Sequence, residues 1–291
     1  MSPTDPGAPH PKSLLDLYRL GVSLLEDRPQ AGLEAKVLLL KAAALPEERF
    51  FAAPEALCPP RAEASFLRLV EKRKSGVPLA YLTNVKEFWS LPLAVTPSVL
   101  VPRPETEVLV EKVLELASRE REAILDLGTG SGNIAVALAS ELPRARIVAV
   151  DISERALRVA RRNAALLNVR RIEFRRSDLF SAFRGTGDRF DFIVCNPPYV
   201  SRAEWDALPA EVRDFEPRRA LLAGESGLET IGRLVRRAGS FLSPGGYLIF
   251  EIGDGQREKV LSLFGKRWTE IETAWDLAGR PRVITARRGR R

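Results

Sequence analysis

The chain has 291 residues, 45% of them hydrophobic, enough to bury a core in more than one domain. It holds no unbroken run of about 18 apolar residues, so no membrane-spanning helix is expected. The formal charge of +7 would suit a phosphate-rich partner, but Arg161-Arg162, Arg170-Arg171, Arg175-Arg176 and Arg236-Arg237 sit among acids, which reads as solvated faces.

Residues 1–11 carry four prolines and no apolar stretch, and are expected to be a disordered leader, not a signal peptide. His10, the only histidine, lies there, which argues against a histidine-based triad or zinc site. Residues 12–75 read as a small helical domain. Leu14, Tyr18, Val22 and Leu25 recur at helix spacing, as do Leu33, Val37, Leu40 and Ala44, while Phe66, Leu69 and Val70 mark a further stripe. From 76 to 102 the prolines forbid a long helix, and Glu87-Phe-Trp and Leu93-Ala-Val alternate around Ser90-Leu-Pro92, which predicts a β-hairpin linker. Pro104 is placed to open a helix carrying Val108, Leu109, Val113 and Leu116.

Residues 103–291 alternate strand and helix. Ile124–Leu127, Ile147–Val150, Ile172–Phe174, Phe190–Cys195 and Tyr247–Ile252 suit buried parallel strands, with two more near 267–274 and 281–287. The segments 132–141, 153–168, 227–242 and 255–265 are read as helices. The fold class is α/β, a doubly wound sheet. Cys58 and Cys195 are far apart with no ligand spacing, so a reduced, cytoplasmic protein is expected, and Cys195 is read as a buried strand residue. The tail Arg287 to Arg291 is read as solvated charge.

Two constellations carry chemistry. Gly128, Gly130 and Gly132 follow the first strand of the sheet and open a helix, with Thr129 and Ser131 between them. Glycines there allow a tight turn and close backbone approach to a ligand. A plain tight turn is the bland alternative. Asp151, about 20 residues on, can accept both hydroxyls of a ribose. Asp178 and Leu179, after the third strand, offer an edge acceptor and an apolar face for adenine. The second constellation is Asn196-Pro197-Pro198-Tyr199, after the fourth strand. Asn196 Oδ1 and the Pro197 carbonyl can each accept a hydrogen from one –NH₂ group, and Tyr199 offers a π face beside its plane. Together they point to methyl transfer onto a conjugated nitrogen, a carboxamide or a base exocyclic amine, by orientation and electrostatics.

These residues resemble the HemK/PrmC family of protein-(glutamine-N5) methyltransferases. Pro78-Leu-Ala-Tyr-Leu82, Glu87-Phe-Trp89 and Val101-Pro-Arg-Pro-Glu-Thr-Glu107 are similar to its linker, Asp126 to Asn133 to its cofactor loop, and Asn196 to Tyr199 to its amide-binding tetrad. Glu216-Pro217, Ala220-Leu221, Gly224, Gly227-Leu228, Pro244-Gly-Gly246, Glu251-Ile-Gly253 and Gln256 resemble its later segments. One departure is Asn84, which stands where glycine is common in that family. The resemblance implies a Rossmann-like class I methyltransferase domain with a seven-stranded sheet at 103–291, and a substrate-recognition role for 12–75. It implies S-adenosyl-L-methionine as cofactor, held by Gly128 to Gly132, Asp151, Asp178, Leu179 and Asn196. The implied substrate is the glutamine of the Gly-Gly-Gln motif in class 1 peptide chain release factors, bound by Asn196 to Tyr199, and neither nucleic acid nor membrane is expected as a partner. The alternatives are a base-amine methyltransferase, a ribosomal-protein glutamine methyltransferase and an RNA-binding module with a vestigial cofactor fold.

Overall fold

The structure, a computed structural model, describes residues 12–118 and 121–289. The expected leader and the last two arginines of the tail lie outside the described residues. The chain divides between Asn84 and Val85 into two compact units.

The first unit is helical, with Leu14–Leu24, Ala31–Ala43, Glu47–Ala52, Pro60–Lys74 and Leu79–Thr83. The first helix starts where it does because Ser13 and Asp16 form a reciprocal cap: Ser13 Oγ accepts the Asp16 amide at 3.0 Å and Asp16 Oδ2 accepts the Ser13 amide at 3.1 Å. Leu17, Leu38, Leu39, Phe66 and Val70 form the core. The second helix departs from the expected stripe. It buries Ala35, Leu38 and Leu39, while Leu33 is 50% exposed. Its sequence is apolar on several sides, so packing partners, not periodicity, selected the buried face. Within the core, Arg73 donates to both oxygens of Glu34, at 2.7 and 2.9 Å. Asn84 ends the last helix at φ 61°, a left-handed conformation that glycine and asparagine tolerate best, which explains the departure from glycine there.

The second unit opens on an antiparallel hairpin, β1 Val85–Phe88 and β2 Leu91–Ala94. Its turn is Trp89-Ser90, one residue earlier than the expected Ser90-Leu-Pro92, with both residues at positive φ. Neither is glycine, so the sequence gives no hairpin signal there. The turn is held from outside: the Trp89 amide donates to Glu107 Oε1 and its indole to Glu141 Oε1, both at 2.8 Å. Pro104 opens a short 3₁₀ turn to Thr106, and the helix proper runs Glu107–Leu116.

A seven-stranded sheet follows. Its strands are β3 Ala123–Leu127, β4 Arg146–Asp151, β5 Ile172–Arg176, β6 Phe190–Cys195, β9 Leu242–Glu251, β10 Trp268–Trp275 and β11 Pro281–Arg288. The short strands β7 Val200–Ser201 and β8 Leu222–Gly224 pair with each other outside it. The order is β10-β11-β9-β6-β3-β4-β5, with β11 antiparallel to both neighbours and the central strands parallel. The expected α/β class is borne out. The apolar runs are continuous because both faces are covered. Leu125, Val148, Ile193 and Phe250 pack on one side, and Ile124, Ile147, Val194 and Ile249 on the other. The sheet helices are shorter than expected, notably Glu229–Ala238 within 227–242 and Arg257–Leu261 within 255–265. Arg287 is not simply solvated: it lies in β11, donating to the Gly245 carbonyl and to Glu270.

The topology decides where chemistry can occur. From β3 the chain winds outward through β4 and β5, then returns to place β6 on the other side of β3. Leu127 and Cys195 are register partners at the ends of these two strands. The glycine loop and the Asn196 tetrad therefore leave the sheet side by side at its switch point, the position where doubly wound sheets bind ligands.

Candidate active site

A cavity of about 600 Å³ lies at this switch point, within the size range of cofactor sites. Gly128, Gly130 and Ser131 line it from the loop after β3, and Asp151 from the end of β4. Asp178 and Leu179 line it from the loop after β5, and Asn196 and Pro198 from the loop after β6. Thr129, Gly132, Pro197 and Tyr199 are not part of its wall. Thr129 is buried, and Gly132 packs so tightly on the helix Glu154–Leu166 that a Cβ there would stand 3.1 Å from Ala160 Cβ. Gly132 thus has a packing role, set against the helix beside the cavity.

The loop is shaped by its backbone. The Gly128 and Thr129 amides both donate to the Val150 carbonyl, at 2.8 and 2.9 Å, which ties the loop to β4. Gly130, at φ 56°, turns its amide onto Asp151 Oδ2 at 3.0 Å, and Ser153 donates its amide to Asp151 Oδ1 at 2.8 Å. Each Asp151 oxygen accepts one backbone N–H and has a lone pair to spare, the acceptor pair that the two hydroxyls of a vicinal diol require. Burial pushes this carboxyl above the usual carboxylate range, with the amides of Ser153 and Gly130 opposing.

Asp178 departs from a free edge acceptor. Arg233 Nη2 donates to its two oxygens at 2.8 and 2.9 Å, and Arg233 also lines the cavity. A ligand amine there meets an ion pair rather than a bare carboxylate. Leu179 sits at φ 47°, an uncommon conformation for a branched residue, and its carbonyl accepts the Ser177 hydroxyl at 2.6 Å. Below the loop, Asp126 on β3 is fully buried, and neither of its oxygens nor Thr129 Oγ1 has a hydrogen-bond partner among the described residues. Burial raises the Asp126 carboxyl to about 7. The Thr129 hydroxyl and Ala135 amide lie close enough to oppose that rise without reaching bonding geometry, and the Asp151 charge adds to it. Cys195 is buried and its thiol is pushed well above its usual range by that burial, so it is no nucleophile.

The tetrad is braced by residues to which the sequence reading gave no chemistry. Asn196 Nδ2 donates to Thr106 Oγ1 at 3.1 Å, Thr106 Oγ1 donates to Glu251 Oε2 at 2.6 Å, and the Tyr199 hydroxyl donates to Glu251 Oε1 at 3.2 Å. Burial raises the Tyr199 phenol, and the Glu251 charge adds to the rise. Its hydroxyl is therefore a neutral donor, and the residue stands behind the wall. Glu216 is a second unforeseen element. Its buried carboxylate accepts the Val101 amide at 3.1 Å and pairs with Arg103, joining the segment between β7 and β8 to the chain before the 3₁₀ turn. Only their place in the Arg-Pro-Glu-Thr-Glu and Glu-Pro strings marked Thr106 and Glu216 in sequence, because buried polar roles have no periodicity.

Comparison with known proteins follows the same division. Residues 16–83 match the model of the PrmC N-terminal domain, and residues 104–211 that of the methyltransferase small domain. The chain is 43% identical to the release factor glutamine methyltransferase of Koribacter versatilis, over 90% of this chain and 93% of that protein. It is 44% identical to that of Moorella thermoacetica, over 90% and 92%. Among solved structures, the hMettl16 catalytic domain shares the fold with a TM-score of 0.55 and 16% identity, covering 73% of this chain and 80% of that one. A 16S rRNA methyltransferase (RsmC) of T. thermophilus in complex with AdoMet and guanosine does so with a TM-score of 0.52 and 20% identity, over 70% of this chain and 49% of that one. With the glycine loop, Asp151 and Asn196 lining one cavity, and with near full-length relatives of one kind, the chain belongs to the release factor glutamine methyltransferase family.

Proposed function

We propose that this protein methylates the side-chain amide nitrogen, N5, of the glutamine in the Gly-Gly-Gln motif of class 1 peptide chain release factors, in the cytoplasm. The observation that carries the reading is Asn196. Its Nδ2 is engaged by Thr106, which leaves Oδ1 without a partner among the described residues, at the wall of a cavity that Asp151 and the glycine loop also line.

The cavity fits S-adenosylmethionine, which when bound supplies an electrophilic methyl group on a sulfonium. Asp151 has the spare lone pairs to hold the ribose hydroxyls, the Gly128 to Ser131 backbone allows close approach, and Leu179 gives an apolar flank. Asp178 and Arg233 would meet the adenine edge. On the substrate side, Asn196 Oδ1 accepts one amide hydrogen at the cavity wall, and the Pro197 carbonyl, on a residue set outside that wall, would accept the other once the substrate is seated. These acceptors stabilise the N–H groups as they turn acidic, so no side chain has to remove a proton first. Orientation of this kind accounts for most of the rate that such a site supplies.

A glutamine at a loop tip arrives on a folded protein, so recognition needs more than the cavity. We assign docking to the helical residues 12–75, which expose Phe51 and Leu57, each 65% accessible, and linkage to 76–102. Nucleic acid is not the substrate in this reading, since arginines are paired locally, as in Arg161–Glu154, Arg175–Glu173, Arg213–Asp214 and Arg287–Glu270. The test is methyl incorporation from labelled cofactor into purified release factors, RNA and DNA. Incorporation into the glutamine of an intact factor, with a Gly-Gly-Gln peptide a far poorer acceptor, is expected. Labelling of RNA or DNA in preference to the factor would overturn the reading.

A further inference from the structure

We propose that Glu251 is a positioning residue for the transfer: acting through Thr106, it decides which end of the Asn196 amide is left for the substrate. This rests on the functional reading above and adds the device that makes the tetrad's asparagine an acceptor.

The argument is one of proton counting. Thr106 and Glu251 are each 1% exposed, so solvent does not arbitrate between them. The Thr106 hydroxyl has one proton and two polar neighbours, Glu251 Oε2 at 2.6 Å and Asn196 at 3.1 Å. An ionised carboxylate only accepts, so the proton is committed to Glu251. The Thr106 oxygen can then only accept, and Asn196 must turn its –NH₂ toward it. Reversing the amide would set Oδ1 against the lone pairs of Thr106, a repulsion that the observed orientation avoids. Oδ1 is therefore left to accept an N–H of the incoming amide. Without the relay, the amide of Asn196 has no reason to prefer this orientation, and a reversed one meets the substrate nitrogen with N–H groups. The other Glu251 oxygen holds the Tyr199 hydroxyl, so one carboxylate orders both ends of the tetrad.

Protonation of Glu251 would release the relay, because a neutral carboxyl can donate to Thr106 and free its hydroxyl to donate to Asn196 Oδ1. Burial raises this carboxyl to about 6. Thr106 on the 3₁₀ turn, Arg282 on β11 and Tyr199 on the tetrad oppose the rise, while Glu105 beside Thr106 adds to it. The Cys195 thiol on β6 also faces this charge and stays neutral. The group is ionised above about 6 and neutral below, so transfer should weaken as pH falls through that value.

The experiment is a double-mutant cycle on the full-length protein, read as single-turnover methylation of an intact release factor at saturating cofactor. Thr106→Val keeps the shape and removes the hydroxyl. It is expected to slow transfer by about 10–100-fold, with Thr106→Ser restoring most of the rate. In an Asn196→Ala background the same Thr106→Val change should cost almost nothing more, because the residue it positions is gone. Glu251→Gln should lose the acid limb of the pH profile. Equal losses from Thr106→Val with and without Asn196, or no loss at all, would overturn the proposal, as would an unchanged acid limb in a folded Glu251→Gln. Should Glu251→Gln fail to fold, the Thr106 cycle decides alone. If the wild-type chain methylates no release factor, the functional reading itself fails, which is a different result from an additive cycle in an active enzyme.

Discussion

Both units bury charge, and they treat it differently. In the helical unit, Glu34 and Arg73 meet through two hydrogen bonds, and Arg73 also donates to the Val77 carbonyl. Arg28 also pairs with Glu34 at 3.8 Å, and the Glu34–Arg73 pair joins two helices of the core. In the α/β unit Glu216 is answered in the same way, by the Val101 amide and Arg103, but the acids at the switch point are less fully answered. Asp126 has no hydrogen-bond partner among the described residues, the half-buried Asp151 keeps free lone pairs, and Glu251 is tied to hydroxyls that themselves hold the tetrad. A satisfied buried pair holds a fold in register. Acids with unspent capacity, gathered at one switch point, form the pattern that a ligand site requires.

Four changes would sharpen or break this contrast. Glu34→Ala leaves the Arg73 guanidinium buried without its carboxylate and should cost about 3–5 kcal/mol of stability in denaturant unfolding, with cofactor affinity intact in the folded fraction. A small loss of stability would show that this pair is not the structural element described here. Asp126 comes next. Its carboxyl is raised from 3.8 to about 7, so the folded state holds a proton that the unfolded chain releases first. Stability of the cofactor-free protein should therefore fall as pH rises from about 4 to 7, by on the order of 4 kcal/mol at most, and Asp126→Asn should flatten that slope. Urea midpoints across that window measure it, and an equal slope in both proteins would count against the assignment.

Asn196→Ala should lower single-turnover methylation by roughly 10²–10³-fold with little change in stability or cofactor binding. A near-normal rate would remove the tetrad from the chemistry. Asp151→Ala is expected to lose hydroxyl contacts worth about 1.5–3 kcal/mol each in cofactor affinity. Calorimetry reads it directly, and an unchanged affinity would move the ribose elsewhere in the cavity.

Much of the α/β unit was legible from sequence for a simple reason. Strands covered on both faces must be apolar throughout, and the loop that turns from β3 into a helix needs residues that accept positive φ. Runs such as Phe190–Cys195 and the spacing of Gly128 and Gly130 record those demands locally. The helical unit was read less well at the level of faces. A helix apolar on several sides does not say which side is buried, and Leu33 was placed inside when it is half exposed. The Trp89-Ser90 turn was misplaced because Glu107 and Glu141, distant in sequence, hold it.

The two kinds of element, the α/β class, the glycine loop and the Asn-Pro-Pro-Tyr string are legible along the chain, because each is a local pattern with a local cause. Only the tertiary structure decided that Arg233 answers Asp178, that Gly132 serves packing and that Tyr199 stands behind the wall. It alone set the Glu251 and Thr106 relay under Asn196, across 145 and 90 positions of chain. A buried hydrogen bond depends on which groups the fold brings together, and no residue near Asn196 in sequence records that Thr106 has already given its proton away.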